Sequence, residues 1–144
     1  MVTDFVAAWE ALDADQIADL YAEDGTSESA ATGVVLEGRE AIRQYLTAYI
    51  GAFSDATVEI RTVFASGNQA ALEWVLAGTY TGPVPGFPPG EGQAVTIRGF
   101  SLLEFTDEAM QRTVDYNDVY GILAQLGMVP PLGPAATPAA TPAG

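Results

Sequence analysis

The sequence predicts an α+β fold: three N-terminal helices packed on a strongly curved antiparallel sheet, together a cone with an open mouth. Three observations predict it. Apolar residues recur at helical spacing as far as Phe53. After Thr57 the period changes to two. Turn signals then separate four strand-like runs, the clearest being Ser66-Gly67-Asn68.

Each element follows in order. Residues 3–12 read as a helix: Thr3 and Asp4 are cap candidates, and Phe5, Ala8, Trp9 and Leu12 share one face. Asp13 or Asp15 caps a second, short helix with Ile17, Leu20 and Tyr21 on one side, ended by Glu23-Asp24-Gly25. Residues 26–31 form a short polar strand, and residues 33–38 a strand and turn. A longer helix spans 39–53, with Ile42, Tyr45, Leu46, Tyr49, Ile50 and Phe53 in one buried stripe. Strands follow over 57–65, 69–80, 93–105 and 110–118. Between the second and third of these, residues 82–92 make a Pro- and Gly-dense loop. Asp118 is a cap candidate for a final helical turn, 119–126. One domain covers residues 1–130. The Ala/Thr/Pro-rich segment 131–144 has no apolar pattern and reads as a flexible tail or an arm on a neighbour.

Composition narrows the function classes. The chain has 144 residues, 49% of them hydrophobic, enough to bury a core and leave room for a cavity. Its formal net charge of −14 repels nucleic-acid phosphates and anionic lipid, so neither nucleic acid nor membrane is an expected partner. No run approaches ~20 apolar residues, and no basic leader precedes an apolar core. A cytoplasmic protein is the expectation. There is no His, Cys or Lys, which removes the usual base, the thiol nucleophile, the Schiff-base amine and the commonest metal ligands. Neither a metal nor a cofactor is expected. Acid–base chemistry falls to Asp, Glu or Tyr, so a carboxylate in an apolar pocket is the leading catalytic arrangement.

Asp115 is the candidate. Strand alternation puts Thr113, Asp115 and Asn117 on one face. If Asp107-Glu108 is a two-residue hairpin tip, Asp115 lies opposite Phe100 and diagonal to Arg98. Two readings stay open: a base whose affinity for protons is raised by an apolar cavity, or a structural role as an Asp–Arg98 pair or a helix cap. Trp74, Leu76 and Phe100 share the cavity-facing side in this register. Trp9 and Tyr49 are pocket-wall or packing residues on the helices. Ala71, Val75 and Ala77 point to the opposite face, whose apolar surface predicts a homodimer.

Two segments carry a resemblance. Gly78-Thr79-Tyr80-Thr81-Gly82, continued through Phe87-Pro88-Pro89-Gly90, is similar to a Gly-Thr-His-x-Gly … Pro-Pro-x-Gly loop. Asp115-Tyr116-Asn117-Asp118, followed by Gln125-Leu126-Gly127, is similar to the closing strand and turn of the same proteins. These are the SnoaL-like polyketide cyclases of the nuclear transport factor 2-like superfamily. The resemblance covers residues 1–130 and implies the cone fold, a homodimer and a cofactor-independent reaction. It implies acid–base chemistry at Asp115, with Tyr80 in the usual His place as a hydrogen-bond donor to a carbonyl oxygen. The implied substrate is a small, apolar, carbonyl-containing molecule that is cyclised or isomerised. Limonene epoxide hydrolases also carry a carboxylate at the place of Asp115; their second Asp and its Arg align with the strand holding Trp74 and Leu76. Ketosteroid isomerases keep their base on the first strand, at the place of Ser29. The competing reading is a non-catalytic module that binds a small ligand or only dimerises.

Overall fold

The computed structural model describes residues 1–132. Segment 133–144, most of the expected tail, lies outside the described residues. Three helices precede the long strands: α1 (Val2–Glu10), α2 (Ala14–Asp19) and α3 (Arg39–Gly51). Strands β1 (Tyr21–Ser29) and β2 (Val35–Glu37) fall between α2 and α3. Then come β3 (Phe53–Ser66), β4 (Gln69–Tyr80), β5 (Gln93–Phe105), β6 (Met110–Asn117) and a closing helix α4 (Val119–Gln125).

Local chemistry sets the boundaries. Asp13 caps α2, its carboxylate accepting from the Gln16 amide at 2.9 Å. Tyr21, expected on that helix, instead opens β1, where its ring is buried. Asp118 caps α4 by accepting from the Gly121 amide at 2.9 Å. Gly67, at φ 59°, makes the two-residue turn between Ser66 and Gln69, as its sequence signal predicts.

The six strands form one open sheet in the order β2-β1-β6-β5-β4-β3. The helical and strand halves of the chain fall where expected. The sheet is mixed rather than wholly antiparallel, because β1 runs parallel to β6. Register shifts interrupt β3 between Ser54 and Thr57 and between Ile60 and Thr62, and the β5–β6 pair next to Glu104. Such bulges bend a sheet and increase its twist.

Two apolar clusters result. One joins Phe5, Ile17, Tyr21, Ile42, Leu46 and Leu103. The other joins Phe53, Leu76, Tyr80, Val95, Ile97 and Ile122. Arg43 ties α3 to α2 through Asp15 and Asp19, each at 2.7 Å. No helix among the described residues is long and apolar enough to cross a membrane.

Candidate active site

Between the helices and the inner face of the sheet lies a cavity of about 250 Å³. Both apolar clusters contribute to its wall, with Phe5, Ile42 and Leu46 from one and Phe53, Leu76 and Ile97 from the other. The loop after β4 closes one side with Pro85 and Phe87.

Asp115 enters this space from β6, opposite Ser101 of β5 and beside Ser29 of β1. Ser101 Oγ donates to Asp115 Oδ1 at 2.5 Å. Trp74 Nε1 donates in turn to Ser101 Oγ at 2.8 Å. The indole reaches that position because its strand partner is Gly99, where an added Cβ would collide with the Trp74 ring. The accessible surface that Asp115 retains opens on the cavity. Burial among apolar groups pushes its carboxyl up to about 6, and the Ser101 hydrogen bond pulls in the opposite direction.

Besides Tyr80, three tyrosines share the cavity wall, Tyr21, Tyr45 and Tyr49. Thr113 Oγ1 donates to Ser27 Oγ at 3.1 Å, so the 2.8 Å bond between Tyr21 and Thr113 has the phenol as donor. Tyr45 and Tyr49 stack on successive turns of α3, ring centroids 5.9 Å apart. Their hydroxyls have no hydrogen-bond partner among the described residues. Burial raises the pKa of all three phenols, and the nearby Asp115 charge raises them further. They are therefore O–H donors at neutral pH. Asn117 also lines the cavity, and its Oδ1 is buried without a partner among the described residues. Among the described residues no cluster of three or more acidic side chains is placed to hold a metal ion.

The SnoaL-like domain model matches residues 2–113. The chain belongs to the SnoaL-like family. Solved structures share the fold. A Catenulispora acidiphila protein of ketosteroid isomerase-like fold, crystallised with trimethylamine, is 26% identical at a TM-score of 0.72, covering 89% of this chain and 92% of that one. A Jannaschia protein provisionally named a SnoaL-like polyketide cyclase has a TM-score of 0.76 at 19% identity, covering 90% and 92%. IdmH of Streptomyces antibioticus, provisionally named a polyketide cyclase, has a TM-score of 0.69 at 21% identity, covering 88% and 95%. No curated protein is significantly similar to the chain. Membership of the SnoaL-like family supports a function of the cyclase or isomerase type.

Within this SnoaL-like cone, Trp9, Tyr49, Trp74, Leu76, Tyr80 and Asp115 all line the cavity. Phe100 and Arg98 do not, and the reason is a bulge. The hairpin starts in the expected register, with Phe105 opposite Met110. The next pair is Glu104 with Arg112, so Gln111 is extra and every later residue changes face. Asp115 therefore meets Ser101, while Phe100 pairs with Tyr116 on the outer face and is 40% exposed. Arg98 lies 3.7 Å from Glu73 on that same outer side, which removes the Asp115–Arg98 pair. The role expected of the Tyr80 hydroxyl also changes. It donates to the Pro88 carbonyl at 2.6 Å, inside the loop, so only the ring faces the cavity. Ser101 is the residue the sequence reading missed. Its signal was the alternation of Val95, Ile97 and Leu103, which puts position 101 on the inner face.

Proposed function

We propose that this SnoaL-like protein is a cofactor-independent enzyme. It abstracts a proton next to a carbonyl on a small apolar substrate, leading to aldol-type ring closure or a double-bond shift. The observation that carries this reading is Asp115: a carboxylate in an apolar cavity, raised to about 6, with Oδ2 free of protein partners among the described residues. A base with a pKa just below neutrality is largely ionised at pH 7 and still binds a proton usefully. The substrate's C–H bond breaks, the proton passes to Asp115, and the electron pair moves toward the carbonyl oxygen. The resulting enolate needs a donor. Tyr49 and Tyr45 support that role, because both line the cavity and their hydroxyls have no partner among the described residues. Proton transfer of this kind asks only for a base and a hydrogen-bond donor.

The test is a Kemp-type or enolisation probe small enough for the cavity. Asp115→Asn should cut the rate by roughly 10²–10⁴-fold, the usual worth of a positioned base. Tyr49→Phe should cut it by less, with the fold unchanged by circular dichroism. A wild-type protein that binds such probes yet turns none over would reject catalysis in favour of a binding module.

A further inference from the structure

Asp115 must be ionised at neutral pH to act as a base, yet its surroundings penalise the charge. Among the described residues one hydroxyl opposes that penalty. Ser101 is buried on β5, directly across from Asp115. A serine hydroxyl carries one hydrogen and can turn it toward any acceptor, whereas an indole N–H can only donate. The Trp74 N–H, 2.8 Å from Ser101 Oγ, takes a lone pair on that oxygen and excludes the serine's own hydrogen from that side. The hydrogen is left pointing at Asp115 Oδ1. Gly99 keeps the indole flat against β5, so the donor has little freedom to move away.

We propose, resting on the reading of Asp115 as the base, that Trp74 and Ser101 form a fixed hydrogen-bond relay that holds its carboxylate in one orientation, occupies Oδ1 and leaves Oδ2 as the proton acceptor. Both are positioning residues, and neither passes a proton on. The substrate proton goes to Oδ2, the C–H electron pair goes to the enolate, and Oδ2 returns the proton to product.

The other titratable groups facing the carboxylate come from two elements. β1 supplies Tyr21; Glu28 of the same strand turns its carboxylate to Arg112 of β6. Tyr45 and Tyr49 come from α3. β4 and β5 place Trp74 and Ser101 beside it, and the Tyr80 hydroxyl of β4 is held by the Pro88 carbonyl. Changing the relay therefore changes no charge.

The experiment follows the Asp115 carboxyl by carbon-13 NMR titration of the full chain labelled at Asp, its signal assigned with Asp115→Asn. Ser101→Ala should raise the titration midpoint by about one to two units, the usual strength of a hydrogen bond to a charged group. Trp74→Phe keeps a ring and removes the N–H, and should raise it less, in the same direction. Ser101→Thr should return it close to wild type. The titration reads the relay without any turnover. Shifts seen in a protein inert toward every probe would uphold the relay and sink the enzymatic reading. Where a probe does turn over, the acid limb of kcat should move with the carboxyl while KM stays put. A folded Ser101→Ala with an unmoved midpoint overturns the relay. Should that variant not fold, an unmoved midpoint in Trp74→Phe overturns it equally.

Discussion

Replacing Asp115 by Asn should stabilise the protein, and by an amount that depends on pH. The carboxyl sits at about 6 in the fold against an ordinary 3.8. Each unit is worth about 1.36 kcal/mol, so holding the charge costs on the order of 3 kcal/mol once pH exceeds both values. The sign follows from proton binding. The folded chain holds this proton more tightly than the unfolded chain does. The cost is therefore absent below about pH 4, grows through the window, and is complete above about pH 6–7. Asn keeps the shape and can still accept from Ser101 through Oδ1. Urea unfolding of both proteins from about pH 4 to about pH 8 measures the difference. The other carboxylates are common to both chains and cancel to first order. The variant should match wild type at the acid end and gain up to a few kcal/mol at the other. A difference that stays flat with pH, or a variant less stable at pH 8, would refute a desolvated Asp115.

Three further outcomes are expected. Gly99→Ala forces the Trp74 indole off β5; it should destabilise by about 1–3 kcal/mol, as overpacking does, and move the Asp115 titration as loss of the indole N–H does. Tyr80→Phe removes the bond to Pro88 and should cost about 1 kcal/mol, with loop 82–92 becoming more open to proteolysis, while probe turnover stays within a few-fold. The outer face carries Phe64, Phe100, Leu102 and Tyr116, all exposed, and should pair with a second copy. Sedimentation at micromolar concentration should give a dimer that Phe100→Asp weakens, and a wild-type monomer would end that expectation.

What could be read from the sequence, and what could not, divides at Gln111. Elements with a long, uninterrupted period were legible. The α3 stripe of Ile42, Leu46 and Tyr49 and the inward side of β4, with Leu72, Trp74 and Leu76, repeat at their own spacing and need no partner to be placed. Asp115 was legible as a cavity residue for the same reason, since its neighbours Thr113 and Asn117 share its side. Its partner was not. Which residue faces Asp115 depends on strand pairing, and one extra residue in β6 exchanged Phe100 for Ser101. A bulge carries little local sequence signature, and here no Gly marks it. Yet the strand opposite held the correction. Val95, Ile97 and Leu103 keep strict alternation, which places Arg98 and Phe100 outside whatever the hairpin does. Tyr80 failed differently. Its ring lies where expected, but Gly82 and Gly90 let the following loop fold back onto it, and the Pro88 carbonyl accepts its hydrogen bond. Side-chain direction follows from periodicity within one strand, whereas hydrogen-bond partners depend on the register between strands and on loop paths. The same bulge that hid Ser101 also carries the chemistry proposed here. Were Gln111 paired with Glu104 instead of bulged, Asp115 would face Phe100, with no hydroxyl to hold its charge.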